Sequence, residues 1–133
     1  MHESVRRYNW SFSELCDRIS IVVQKIVYAE NDQMRAEFVR ERDDIIHDLD
    51  LYIKEGVQVD GRMVSHICTL QLINATIWSN ESAFREGGSG TDLTLTHSLN
   101  CDRANVKAAI SKKANGRIDY KLNYNKGLWD LNL

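Results

Sequence analysis

The chain has 133 residues, 43% of them hydrophobic and 27% charged, with a net charge of −2. A chain of this size buries about two-thirds of its unfolded surface as one domain, and this composition is that of a folded protein. No apolar run is long enough to cross a bilayer and the opening MHESVRRYNW has no apolar signal core, so a cytoplasmic protein is expected, its sequons at Asn74 and Asn80 unused.

Proline is absent and the seven glycines are confined to a few places, leaving long uninterrupted segments. The first, about 11–31, opens on a capping box, Ser11-x-x-Glu14, with Trp10 and Leu15 at the positions of a hydrophobic staple. Phe12, Leu15, Cys16, Ile19, Val22, Val23, Ile26 and Val27 then recur at helical spacing. SIVVQKIV has strand propensity, but the length of the segment and its cap favour a helix. The second, about 32–55, sets Met34, Phe38, Ile45, Leu49 and Tyr52 on one stripe and ends at Gly56.

The third segment, about 60–86, carries a seven-residue pattern of Met63, Ile67, Leu70, Asn74, Ile77, Glu81 and Phe84, and stops at the GGSG loop of residues 87–90. The fourth, about 91–115, turns Leu95, Leu99, Val106 and Ile110 inward with Arg103 in the same stripe, and Asn115-Gly116 supplies a C-cap. In the tail, 116–133, Ile118, Tyr120, Leu122 and Tyr124 alternate as in an extended segment, while Leu128, Trp129 and Leu131 are expected to pack. Four helices of similar length and short loops predict an all-α protein, an antiparallel four-helix up-down bundle with a C-terminal tail.

Cys16, Cys68 and Cys101 are odd in number and form no CxxC pair, which argues against structural zinc and for free, mostly buried thiols. Charge is unevenly placed. Residues 1–102 hold 10 Lys/Arg against 17 Asp/Glu, a net −7, and residues 103–133 hold 7 against 2, a net +5. The basic end therefore has an acidic partner, within the chain or in a second copy as a homo-oligomer. Lys107, Lys112, Lys113, Arg117, Lys121 and Lys126, with Tyr120, Tyr124 and Trp129, have the residue types of a single-strand binder. Overall acidity makes nucleic acid the weaker expectation.

Polar residues on the apolar stripes are the candidate site. Asn74 and Glu81 interrupt the third helix, Arg103 the fourth and Glu41 the second. A buried carboxylate costs several kcal/mol unless paired. The economical arrangement pairs Glu81 with Arg103, with Asn74 and Asn100 completing the hydrogen bonds, either to set helix register or to hold a ligand. Loss of Glu81 is then expected to destabilise the fold.

Three segments carry a resemblance. They are SELCDRISIVVQKI with Glu14, Asp17, Arg18 and Lys25; NATIWSNESAFR with Asn74, Trp78, Glu81 and Arg85; and LNCDRANVKAAI with Asn100, Arg103, Ala104 and Lys107. In these the chain resembles a family of small helical proteins of bacteria and phages with no established activity. The resemblance covers less than a third of the chain, and Cys101 stands where that family tends to have Asp. It implies a helical domain and singles out those polar residues.

Other chemistries lack parts. Glu37, Glu41, Asp44 and Asp48 line the second helix beside His47, but Asp44-x-x-His47 supplies one half of a di-iron motif. A magnesium site on Glu37, Glu41 and Glu81 would need a further oxygen ligand one turn from Glu81, where Ile77, Trp78, Phe84 and Arg85 stand. His97 and Cys101 form the one His/Cys pair at helical reach, without a third orienting group. Nucleophile-elbow, phosphate-loop and dinucleotide motifs are absent.

The sequence reading is a small intracellular binding or assembly module without a cofactor. Its ligand, a small anion, would meet Asn74, Glu81, Arg85, Asn100, Arg103 and Lys107. The alternative is a magnesium-dependent nucleotide pyrophosphohydrolase using Glu37, Glu41 and Glu81.

Overall fold

Helix starts fall where capping residues stand. The computed structural model describes residues 5–85, 93–115 and 127–133, the side chains of residues 82–85, 93 and 115 excepted. It contains α1 (Phe12–Val27), α2 (Asp32–Lys54), α3 (Gly61–Arg85) and α4 (Leu93–Asn115), with no strand among the described residues. Ser11 Oγ accepts from Glu14 N at 3.2 Å, Asn31 Oδ1 from Met34 N at 2.8 Å and Asp60 Oδ1 from Met63 N at 2.9 Å. Each side chain satisfies one of the N–H groups that a helix start leaves without an internal partner.

α2 ends as its sequence asks. Gly56 has a φ of 114°, its N–H bonds to the Ile53 carbonyl, and the Val57 N–H reaches back to Tyr52. These two bonds make a Schellman motif, in which a left-handed residue is needed and glycine adopts it without strain. Val57 and Tyr52 then pack on the same apolar cluster.

The helices alternate in direction. Glu14 meets Lys107 and Asp17 meets Arg103, so α1 and α4 are antiparallel. Arg18 with Glu41, and Phe12 with Tyr52, set α2 against α1. Lys113 with Asp60, and Asn80 with Thr96, set α4 against α3. The result is the four-helix up-down bundle, with α1 touching all three other helices.

One apolar cluster joins Phe12 and Cys16 to Met63, Leu70, Ile73, Ile77, Leu99, Val106 and Ile110. A smaller one holds Leu15, Val22 and Ile45, all fully buried, between α1 and α2. Burying side chains of this size stabilises by about 1.5–3 kcal/mol each.

Two fully buried aspartates tie down the flanking segments through successive backbone N–H groups. Asp48 on α2 accepts the successive N–H groups of Arg7 (2.6 Å) and Tyr8 (2.7 Å). Asp102 on α4 accepts those of Leu128 (2.9 Å) and Trp129 (3.3 Å) on Oδ2 alone, its buried Oδ1 having no partner among the described residues, and Trp129 and Leu131 pack on the main cluster. Asp48 is therefore no member of a solvated acidic face, and Leu128, at 47% exposed, does not pack as expected. The Trp10 ring stacks on Tyr8 at 4.3 Å, and Tyr8 covers the Leu15 cluster. The GGSG loop, the Asn115-Gly116 cap and the alternation of 118–124 involve residues outside those described.

α1 ends at Val27, four residues short of the expected boundary, because the chain turns there into the Asn31 cap of α2. The thiols divide rather than sharing burial: Cys16 is buried, Cys101 half-buried and Cys68 exposed. Burial, with a smaller contribution from the neighbouring Asp17 charge, pushes the Cys16 thiol up to about 12. A thiolate-specific reagent at neutral pH should modify Cys68 first and Cys16 only on unfolding. Mass spectrometry of the timed reaction checks this, and early labelling of Cys16 would contradict the packing.

Candidate functional site

The polar centre of the bundle is Asp17. Ser13, Asp17, Ser20 and Gln24 follow one another at four-, three- and four-residue spacing, which places them along one side of α1. Ser13, Asp17 and Ser20 are buried, as is the Gln24 side-chain oxygen. The Asp17 side chain is 5% exposed and takes a forked bond from Arg103, Nε to Oδ1 at 2.8 Å and Nη2 to Oδ2 at 2.5 Å. Asn74 Nδ2 donates to Asp17 Oδ1 at 3.0 Å and to Ser20 Oγ at 2.6 Å. Lys107 Nζ stands 3.8 Å from Asp17 and 2.9 Å from Glu14.

Burial alone would raise the Asp17 carboxyl. The hydrogen bonds from Arg103 and Asn74 and the charges of Arg103 and Lys107 outweigh it and hold the group below its ordinary range. Reciprocally, the Asp17 hydrogen bond raises Arg103, against desolvation and with help from the charges of Asp17, Glu14 and Glu81. Glu14 is thus engaged across the bundle with Lys107, while its backbone N–H is the one capped by Ser11.

This corrects the expected pairing. Arg103 is held by Asp17; Glu81 is exposed and reaches Arg103 through its field. Asp17 sits at bonding distance beneath Arg103, whereas Glu81 is exposed on α3, one turn past Trp78. Asn100 is exposed and stands outside the network. The Arg85 side chain lies outside those described. Asn74, Arg103 and Lys107 are brought together. Asp17, their common partner, does not lie on an apolar stripe.

A groove of about 390 Å³ opens directly above the network, lined by Gln24, Lys25, Asn74, Trp78, Glu81 and Arg103 with Ile21 and Ile77. A second hollow of about 380 Å³ shares Gln24 and Trp78 and continues to Tyr28, Ala75 and Ser79. Gln24 lines both, and its Oε1 is fully buried without a hydrogen-bond partner among the described residues. Buried polar atoms in folded proteins almost always have one.

The acidic residues of α2 do other work. Glu41 binds Arg18 at 2.7 Å, Asp44 lies 3.7 Å from Arg7, and His47 Nε2 meets the Val5 carbonyl at 2.9 Å. Glu37 is exposed. Among the described residues no three His, Cys, Asp or Glu side chains converge as metal ligands, so Glu37, Glu41 and Glu81 do not form the magnesium set. α1 stands between the helices that carry them. His97 is exposed, and among the described residues no third group orients it toward Cys101.

No helix among the described residues is long and apolar enough to cross a membrane. Set against protein-family models, curated proteins and solved structures, the chain matches none.

Proposed function

We propose that this small all-α domain is a noncatalytic binding module whose ligand occupies the groove above Asp17, Asn74 and Arg103. The observation that carries this reading is the orphaned Gln24 oxygen, a buried acceptor beside an open, partly apolar groove. The network beneath is saturated by its own members and serves as a rigid floor. The groove asks for a ligand with a hydrogen-bonding group for the Gln24 amide, a flat apolar face for Trp78 and an acidic group for Lys25 and Arg103. Glu81 at the rim selects against ligands of higher negative charge by like-charge repulsion.

Glu14, Asp17, Asn74, Arg103 and Lys107 also belong to the segments that resemble the small helical proteins of bacteria and phages. Their convergence supports reading the resemblance as one of a shared polar centre. The nucleotide-hydrolase alternative has no such support, because its carboxylates are not gathered.

Replacing Gln24 by Leu tests the proposal with a gain and a loss. An unsatisfied buried acceptor costs about 1–3 kcal/mol, so the variant should unfold at higher urea than the parent protein. It should at the same time lose the response of the Trp78 indole N–H to amide-bearing carboxylates in a fragment screen by NMR. A variant that is destabilised, or that keeps the response, would refute the site.

A further inference from the structure

α3 differs from the other helices in what it shows to solvent. Between Arg62 and Glu81 it carries no Asp, Glu, Lys or Arg, the longest such gap in a chain that is 27% charged, and its histidine, His66, is buried. Met63, Leu70, Ile73 and Ile77 turn inward against α1 and α4. The opposite side is not charged in compensation. Leu72 is 59% exposed and Val64 49%, and between and beside them stand Gly61, Ser65, Cys68, Ala75 and Ser79. A surface helix ordinarily sets charged and polar residues opposite its core stripe. α2 shows the ordinary case, since its exposed Ile46 and Ile53 are interspersed with Asp43 and Asp50.

Gly61, Ser65, Cys68, Leu72, Ala75 and Ser79 follow one another at four-, three-, four-, three- and four-residue spacing. Alternate steps of this kind keep one line of side chains facing a second helix, as in a coiled-coil seam. The spacing reads the same in both directions, and so does the distribution of size. Against an antiparallel copy of itself the seam sets Gly61 opposite Ser79, Ser65 opposite Ala75 and Cys68 opposite Leu72. The one large side chain, Leu72, therefore meets Cys68, and every other pair is small against small. A surface that matches itself on reversal is what a two-fold interface demands. Small residues let the two helix axes approach to about 8 Å, the close end of helix packing. The face has no charge to strand, so closing it costs no ion desolvation.

We infer that the outer face of α3 pairs with the same face of a second copy of this chain, antiparallel, about a two-fold axis between Cys68 and Leu72. Beside the seam, this pairing brings Val64 of each copy to the level of residues 75–79 of the other. There a hollow of about 380 Å³ is lined by Tyr28, Ala75, Trp78 and Ser79 with Gln24. Tyr28, exposed and set edge to ring on Trp78 at 5.3 Å, gives the hollow an apolar wall. The seam is about 27 Å long at about 1.5 Å per residue and, with this flank, offers on the order of 500 Å² on each copy, which reaches the total of about 1,000 Å² that a specific interface needs. The pairing does not depend on the ligand groove, because Asn74 is buried on the inner side of α3 and Arg103 belongs to α4.

The experiment is sedimentation of the full chain across the micromolar range. The expected result is a monomer–dimer equilibrium whose Kd rises by roughly tenfold or more in Leu72→Glu and in Ser65→Glu. Both positions are exposed, so both variants should keep the helix content of the parent. Ile53→Glu, on α2, should associate as the parent does. Cys68, the first thiol to react in dilute protein, should be labelled more slowly as the concentration rises, because the pairing covers it. The inference is overturned by a monomer at every concentration, or by a Leu72→Glu variant that associates like the parent. It is overturned too by an assembly that grows past the dimer, since a two-fold face closes on itself. Dissociation by Ile53→Glu with Leu72→Glu intact would place the contact on α2 instead.

Discussion

Replacing Asp17 by Ala should cost the domain about 3–5 kcal/mol, the range for removing one member of a buried ion pair. In a domain of this size that is a fall in melting temperature on the order of 10–20 °C. The magnitude follows from what is stranded. Arg103, 30% exposed, would lose both bonds of its fork, Asn74 would keep only Ser20, and Lys107 only Glu14. Glu81→Ala is the matched control, since Glu81 is exposed; it should fall within about 0.5 kcal/mol of the parent. Urea denaturation of the pair decides between them, and an equal or larger loss for Glu81→Ala would move the centre of the network away from Asp17.

The same group sets an acid limit. The folded-state pKa of Asp17 is depressed, so its stabilisation is complete above the unfolded carboxyl pKa of about 3.9 and is lost as pH falls through the folded value. The parent protein should therefore lose stability steeply in acid below that point, whereas Asp17→Ala, already without this contribution, should show a shallower slope. A double variant, Asp17→Leu with Arg103→Met, should recover much of the loss at neutral pH, because removing both charges leaves neither uncompensated. If it binds ligand no better than Asp17→Ala, the network is needed for the groove and not for the fold.

The helices are legible from periodicity because a helix is the backbone form that brings residues three and four apart onto one face. Asn74 and Arg103 are visible for the same reason, as interruptions in stripes otherwise apolar. Asp17 is not, because it belongs to a second stripe, Ser13-Asp17-Ser20-Gln24, that is polar throughout and reads as a solvated face. Its signal lies in the two small serines flanking a carboxylate, which let a neighbouring helix approach closely. Glu81 misleads for a geometric reason. A seven-residue repeat drifts about 20° per repeat around a straight helix, and the position one repeat past the buried Asn74 is exposed. The aspartate clamps are invisible in kind, since a bond to backbone N–H groups leaves no matching side chain elsewhere in the sequence.

Gly127→Ala should release the C-terminal segment. The glycine lies so close over Asp102 that a methyl group there would overlap the carboxylate and crowd its backbone nitrogen, neither of which can retreat from the interior of α4. No left-handed backbone is involved; the restriction is space alone. With residue 127 displaced, the bonds from Leu128 and Trp129 to Asp102 fail together, and Trp129 and Leu131 leave the cluster of Leu99, Val106 and Ile110. Two partly buried apolar side chains and two charge-assisted bonds amount to a loss of about 2–4 kcal/mol. Hydrogen exchange is the direct measurement, since the Leu128 and Trp129 amides should go from protected to unprotected while α1 and α2 keep their protection. His66 lines a hollow together with Asn132 and Leu133, so it should gain exposure in the same variant. Unchanged protection at residues 128 and 129 would mean that Asp102 is not the anchor, and its buried charge would then require another partner.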